Sequence, residues 1–272
     1  MKRSGRPGRP DRNRPDRGRR GGKNTPDVPS GAAARVPPAA RRVASRSVRQ
    51  PELPRDEQAD LPRGVMREIE RALGKGPRSR DVCLALSVGS AAIDEERPDV
   101  ALEYLEWAKD QAPRIAAIRE AYGIALYLEE RYQDALAELK AYRRMTGRTD
   151  QNHVAADCLR ALGREADQVA VLADALMSDD TAPMDRRAEA AIVWAAALAD
   201  AGAVSDARSI LRRFASRVTL ESGEPAARVH YVAADLAQRD GDAAAARTGF
   251  EAVRGIDPQY LDVTDRLAAL DA

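Results

Sequence analysis

The chain has 272 residues, of which 44 are basic and 43 acidic, so its net charge at neutral pH is only +1. Its two cysteines, Cys83 and Cys158, form no C-x-x-C pair, which argues against a disulfide framework and a zinc site. No apolar run approaches the roughly 18 residues of a membrane span, and none follows the basic N-terminus as in a secretory signal. We therefore expect a cytoplasmic protein with reduced thiols.

The first segment of the chain, residues 1–58, is rich in Pro, Gly and Arg, and residues 1–55 carry a net charge of +12. With few apolar residues to bury, it is predicted to be a disordered arm. The candidate phosphate-contacting residues of this arm are Arg12, Arg14, Arg17, Arg19, Arg20 and Lys23. Such a string binds RNA or DNA without reading sequence. A solubilising tail, or one that folds back on the acidic body (residues 56–272, net −11), remains open.

Helical patterning begins within residues 61–73, where Leu61, Val65, Ile69 and Leu73 recur every four residues before Gly74. This spacing predicts an amphipathic helix that ends at the glycine. We expect it to cap a domain that extends from residue 59 to residue 272.

The body of the chain repeats one pattern, in which small residues occupy two fixed places. Gly89 and Gly123 are 34 residues apart, as are Ala101 and Ala135, and this is the period of a two-helix solenoid unit. Five units are predicted, at about 82–115, 116–148, 149–180, 188–220 and 227–258, with a closing helix at 261–270 as the second cap. Unit three matches the pattern least well.

Close packing of the two helices in a unit explains why small residues recur at these positions. We expect Gly89 or Gly123 to face Ala101 or Ala135 where the two helices of a unit cross, because a larger side chain would push them apart. The residues predicted to pack the repeats are Gly89, Ala101, Leu105, Gly123, Ala135, Leu139, Ala246, Phe250 and Pro258. Gly163, Gly202 and Gly241 are expected to end the first helices of the last three units.

With the period, the small-residue sites and the closing Asp257-Pro258 in view, the chain resembles the tetratricopeptide-repeat (TPR) family over residues 82–258. With its Arg/Ala-rich composition and basic arm, it looks like uncharacterised TPR proteins of actinobacteria. The resemblance implies an all-α solenoid whose first helices line a concave groove. It also implies protein or peptide binding without catalysis.

Residues at the groove positions of the family register are the candidate binding site. They are Asp150, His153, Asp157, Arg160, Arg228, Tyr231, Asp235, Gln238 and Arg239. They suit a peptide of mixed charge, although a solvated face with internal i,i+4 pairs explains them equally well. The family's clamp for a terminal carboxylate is not expected, because its positions in units one and two hold Cys83, Leu86, Ser90, Ala117, Glu120 and Ile124.

Nothing in the sequence indicates an enzyme or a cofactor. The two histidines, His153 and His230, fall in different units, and no phosphate-binding glycine motif follows a strand. We expect a non-catalytic adaptor that binds a partner segment in the solenoid groove. The alternatives are a nucleic-acid- or ribosome-associated factor that uses its basic arm, and a structural oligomer. The sequence leaves the oligomeric state open.

Overall fold

In a computed structural model of the chain, the described residues are 48–54, 56–218 and 223–271. They fall within one compact unit, Arg46–Ala272, and contain helices but no strand. The helices are α1 (Arg63–Leu73), α2 (Pro77–Asp94), α3 (Pro98–Gln111), α4 (Ala116–Leu128), α5 (Tyr132–Thr146), α6 (Asn152–Ala161), α7 (Ala166–Met177), α8 (Met184–Asp200), α9 (Val204–Ala215), α10 (Glu224–Arg239), α11 (Ala243–Ile256) and α12 (Val263–Asp271).

Helices α2 to α11 form five consecutive pairs, α2–α3, α4–α5, α6–α7, α8–α9 and α10–α11, each joined by a short turn. The second helix of each pair also contacts the first helix of the next pair, and the first helices contact one another from α2 through α10. Helix α1 packs on α2, and α12 packs on α11. This arrangement confirms the predicted all-α solenoid of five helix–turn–helix units with helical caps.

The glycines of the first two units contact a residue that the sequence analysis did not assign to them. A Cβ atom built on Gly89 would lie 2.6 Å from Cγ of Leu105, and one on Gly123 would lie 3.0 Å from Cγ of Leu139. The leucine one turn beyond Ala101 or Ala135, rather than the alanine, is therefore the side chain nearest to each glycine. Both leucines are buried.

The fifth unit reverses this arrangement. A Cβ atom on Gly249 of α11 would lie 2.8 Å from the Cβ of Ala234 on α10, so here the glycine is on the second helix. Ala246 and Phe250 are fully buried in the same cluster. Pro258, predicted to pack with them, is exposed in the turn after α11, because the helix has already ended at Ile256.

All five turns within the units close in the same way, with a residue in the left-handed region. Gly163, Gly202 and Gly241 hold this place in the last three units, with φ of 64°, 80° and 80°. In the first two units it is held by Glu96 (φ 56°) and Glu130 (φ 57°), each the middle residue of a Glu-Glu-Arg sequence. A side chain with a Cβ atom is disfavoured in this conformation, whereas glycine is not.

Glu130→Gly is therefore expected to raise the free energy of unfolding by about 0.5–1 kcal/mol, since relief of the left-handed strain outweighs the greater backbone entropy of glycine. The neighbouring Glu129, with a φ of −88°, provides the control, because Glu129→Gly should lower stability. Urea denaturation of both variants measures the difference. A lower stability for Glu130→Gly would contradict the prediction.

Residues 48–54 and 56–62, termed the strap, lie against the first unit. Pro51 is buried, and Leu53 packs on the core. The hydroxyl of Tyr104 donates to the carbonyl of Glu52 at 3.0 Å, and the amide of Asp60 donates to Oγ of Ser87 at 2.9 Å. The predicted boundary of the arm was residue 58, but Val48, the first described residue, already packs against the core, because a few apolar side chains suffice to anchor an extended segment.

Candidate functional site

The first helices α6, α8 and α10 enclose an open depression of about 420 Å³, termed the trough. The trough is lined by Tyr127, His153, Val154, Asp157, Arg160, Glu189, Ile192, Val193, Ala196 and Arg228. It brings together four of the predicted groove residues, His153, Asp157, Arg160 and Arg228. The other five predicted residues lie elsewhere.

Helix α8 lies between α6 and α10 in the row of first helices. It contributes the apolar residues Ile192, Val193 and Ala196, which are half-buried. The two cations of the trough come from its neighbours, Arg160 from α6 and Arg228 from α10. The trough therefore has three apolar side chains and Glu189 on its central helix, and an arginine on each of the two flanking helices.

Asp157 is held by two partners. The hydroxyl of Tyr127, on the preceding first helix, donates to its Oδ2 at 2.6 Å, and Nε of Arg160 donates to its Oδ1 at 2.7 Å. Arg160 also reaches Asp200 at 3.2 Å. Burial, together with the hydrogen bond to Asp157, raises the pKa of Tyr127, so the hydroxyl remains a donor at neutral pH.

Glu189 and Arg228 form the second charged pair, with 2.9 Å between Nε of the arginine and Oε1 of the glutamate. Burial raises the pKa of Glu189, an effect that Arg228 opposes. The side chain of Arg228 is 48% exposed, so its guanidinium can exchange this carboxylate for one on a ligand.

Asp150 and His153 lie at the start of α6, where Asp150 is buried and His153 is half-buried. Asp150 is buried, accepts a hydrogen bond from the hydroxyl of Tyr142 at 3.0 Å and pairs with Arg186 at 3.4 Å. It thus holds the entry to α6 and does not line the trough. Burial lowers the pKa of His153 to about 4, so its ring is neutral at physiological pH. Its Nδ1 is buried and has no hydrogen-bond partner among the described residues.

Apart from Arg228, the predicted groove residues of unit five lie at the junction with the C-terminal cap. Nη1 of Arg266, on α12, donates to Oε1 of Gln238 at 2.9 Å, and its Nη2 bonds Asp235. The hydroxyl of Tyr231 donates to Asp262 at 2.5 Å. Arg239, the most exposed of the group, pairs with Asp235 at 2.7 Å. The contacts of Arg266 join α10 to α12, and together these contacts leave the carboxylate of Asp235 and the amide oxygen of Gln238 occupied.

Sequence reasoning did not select Tyr127 or Glu189, although both lie on first helices. Unit four matches the repeat pattern weakly, and so no register position pointed to Glu189. Tyr127 stands near the end of α4 and reaches a residue 30 positions later in the chain. Hydrogen bonds between side chains about 30 residues apart recur along the chain and link successive units. Gln151 donates to Glu120 in this way at 2.6 Å. A search for polar residues at this separation could have found the pair of Tyr127 and Asp157.

No protein-family model matches the sequence, and no curated protein matches it. Among solved structures, the fold is similar to that of YrrB, described as a TPR protein with an unusual peptide-binding site. The TM-score is 0.48 at 14% identity, over 72% of this chain and 96% of that one. It is also similar to TTC0263, a thermophilic TPR protein of Thermus thermophilus, with a TM-score of 0.47 at 18% identity over 68% and 96% of the chains. Both likenesses concern the fold.

The described residues contain no group of three or more His, Cys, Asp or Glu side chains placed to hold a metal ion. None of the helices they form has the length and apolar character that a membrane span needs. Cys158 is fully buried, and burial raises the pKa of its thiol to about 12. Its sulfur is therefore protonated at neutral pH and is a poor nucleophile. The six candidate phosphate-contacting residues of the arm lie outside the described residues.

Proposed function

We propose that the protein is a non-catalytic adaptor that binds a segment of a partner protein in the trough. The observation that carries the proposal is the arrangement around α8, where half-buried apolar side chains lie between two partly exposed arginines. A binding site for a peptide combines apolar contact area with a few polar groups that fix its orientation. Arg160 and Arg228 offer guanidinium donors, and Glu189 offers an acceptor. Membership of the TPR family and a cytoplasmic location belong to the same proposal.

The charged pairs of the trough suit a ligand that carries both signs of charge. Each arginine is already paired with a carboxylate, so a ligand carboxylate gains by exchange, while a ligand cation can take the carboxylate that is released. A purely apolar ligand would take water from these charged pairs without offering them hydrogen-bond partners, which is unfavourable. We therefore expect a peptide with an apolar side chain for α8 and charged residues on both sides of it.

Ala196→Arg is the sharpest test of the trough. The arginine side chain fills the trough, and only the small side chain of an alanine is lost. Photo-crosslinking from a residue placed at position 192 in the native host, followed by mass spectrometry, identifies what occupies the trough. With Ala196→Arg in the same chain, we expect the crosslinked partner to decrease by about tenfold or more, which corresponds to about 1.4 kcal/mol of binding free energy.

The matched control for this test is Val171→Arg. Val171 lies on the second helix α7 and is 67% exposed, so the substitution adds the same charge and bulk outside the trough. It should leave crosslinking from position 192 unchanged. Equal crosslinking in the Ala196→Arg and Val171→Arg proteins would exclude the trough as the binding site.

The nucleic-acid hypothesis rests on the net charge of +12 over residues 1–55. Lysine and arginine release counterions from phosphates, so binding through them weakens steeply with salt. Replacing Arg12, Arg14, Arg17, Arg19, Arg20 and Lys23 by glutamine in the full chain is expected to reduce the slope of log K against log salt by about 0.7–0.9 for each phosphate that is no longer neutralised. Gel retardation of single- and double-stranded probes measures it. An unchanged slope would exclude these six residues of the arm as the phosphate-binding element. Light scattering tests the remaining hypothesis, a structural oligomer.

A further inference from the structure

A second depression lies on the row of first helices, between α1, α2 and α4, and is separate from the trough. It has a volume of about 320 Å³ and is termed the apolar groove. Leu61 and Val65 line it from the strap and α1, Leu86 and Ile93 from α2, and Ile124 from α4. Four of these five side chains are half-buried, so the groove presents apolar surface to a ligand.

The apolar surface continues along α4 beyond the groove. Ala117, Ala121 and Ile124 line the groove, and Leu128, one turn further, is 43% exposed. Their spacing of three and four residues places all four on one face of the helix. The stripe therefore extends over three helical turns, the length that the apolar face of a bound helix requires.

The charges around this apolar surface are predominantly acidic. Of the described residues that line the groove, the charged ones are Asp94 and Glu120. The turns that follow α2 and α4 add exposed glutamates, among them Glu96, Glu129 and Glu130. Nearby arginines do not neutralise them, because Arg97 pairs with Glu95 at 2.9 Å and Arg131 with Asp134 at 2.8 Å. Among the described residues, no Lys or Arg lies within ion-pair distance of Asp94, Glu96, Glu129 or Glu130.

We propose that the apolar groove binds a basic amphipathic segment of a partner protein, with its apolar side chains against α2 and α4 and its Lys or Arg residues beside the carboxylates. Charge complementarity selects this occupant, since an acidic amphipathic segment would be repelled and an uncharged one would gain nothing from the carboxylates. The proposal concerns a different surface from the trough and rests on different residues. An adaptor with both surfaces joins two segments of contrasting chemistry.

Synthetic peptides serve as the probes. The first is a Leu/Lys peptide of about 18 residues, roughly five helical turns, with leucine on one face. The second has the same lysines, and serine in place of every leucine. Fluorescence anisotropy with the full-length protein is expected to show binding of the Leu/Lys peptide at least about tenfold tighter than that of the Ser/Lys peptide. Equal affinities would contradict an apolar docking site.

Variants of the groove place the binding. Ile124→Ser, and separately Leu128→Ser, should weaken the Leu/Lys peptide by about threefold to tenfold because each removes apolar contact area. Val171→Ser, on α7, is the control for loss of an apolar side chain elsewhere. Circular dichroism verifies that each protein is folded, and since Leu128 is partly exposed, its variant keeps the test valid if Ile124→Ser unfolds.

Charge reversal tests the choice of occupant. Asp94→Lys with Glu130→Lys should weaken the Leu/Lys peptide by about tenfold at roughly 0.05 M salt and by less at about 0.5 M, because salt screens exposed charges. Glu103→Lys with Glu251→Lys changes the net charge of the protein equally, at exposed positions on second helices, and should have little effect. Equal losses in the two double variants would overturn the proposal. A concentration-dependent dimer that Ile124→Ser abolishes would also overturn it, because a second copy of the chain would then occupy the groove.

These results separate the two surfaces. Ala196→Arg should leave binding of the Leu/Lys peptide unchanged, whereas Ile124→Ser should leave crosslinking from position 192 unchanged. Loss of peptide binding on Ala196→Arg would contradict the assignment of the peptide to the apolar groove.

Discussion

Phe250→Ala is expected to lower the free energy of unfolding by about 3–5 kcal/mol, the range for truncating a buried aromatic side chain. The ring of Phe250 is fully buried on α11. It packs edge-on against Tyr231 of α10, with 5.6 Å between ring centroids, and the guanidinium of Arg266 on α12 lies 5.4 Å from its centroid. Alanine would remove a side chain that touches both neighbouring helices.

The loss should be local as well as large. In a solenoid each unit is stabilised only by itself and by its neighbours, so a defect near one end frees that end first. Hydrogen exchange of Phe250→Ala should show loss of protection in α10, α11 and α12, while α2 to α5 retain theirs. Urea denaturation should become broader or show two transitions, because the last unit unfolds separately.

Phe214→Ala is the matched control, because it deletes the same side chain from an equally buried position in unit four. Its largest loss of protection should centre on α8 and α9. If both variants lost protection evenly along all the helices, the chain would unfold as one cooperative block, and the nearest-neighbour description would be wrong for this protein.

The architecture could be predicted from the sequence because it depends on local spacing. Two helices and a turn recur along the chain, and each helix shows its own apolar positions and stop signals. The predicted caps at 61–73 and 261–270 therefore agree closely with α1 and α12. Contacts between residues far apart in the chain do not enter these predictions, and so a single sequence is sufficient for them.

Contacts between helices could not be predicted in the same way. Which side chain meets Gly89 depends on the crossing angle of two helices, and a shift of one turn replaces Ala101 by Leu105. The trough likewise depends on how α6, α8 and α10 are stacked, so that Glu189 remained undetected while Asp150 was selected although it is buried. Spacing along a helix identifies a face, but the way the helices are stacked decides which residues of that face meet.

The residues in the left-handed conformation show a further limit of prediction from the sequence. Glycine at positions 163, 202 and 241 predicts where three first helices end, because glycine favours that conformation. Glu96 and Glu130 adopt the same conformation without any propensity for it. Here a backbone hydrogen bond closes each turn, from the amide of Arg97 to the carbonyl of Ala92 and from the amide of Arg131 to the carbonyl of Leu126, both at 2.8 Å, and the chain accepts the strain. Only the equivalence of the five units, seen in the structure, reveals these two positions.

Gly89→Ala is expected to destabilise the protein by about 1–3 kcal/mol, the usual range for overpacking a core. This is opposite in sign to the ordinary effect, since alanine in place of glycine within a helix normally gains up to about 1 kcal/mol. The new Cβ atom would lie 2.6 Å from Cγ and 2.8 Å from Cδ2 of Leu105. The leucine is fully buried, so it cannot swing away, and α2 and α3 must move apart.

Three comparisons determine whether this contact is the cause. Gly123→Ala, whose Cβ atom would lie 3.0 Å from Leu139, should cost less than Gly89→Ala. Gly255→Ala, with no atom within 4 Å of its new Cβ, should be neutral or stabilising. In the double variant with Leu105→Ala, the cost of Gly89→Ala should vanish, which gives a coupling energy of about 1–3 kcal/mol. Additive effects in that cycle would show that the close approach of glycine and leucine does not hold α2 against α3.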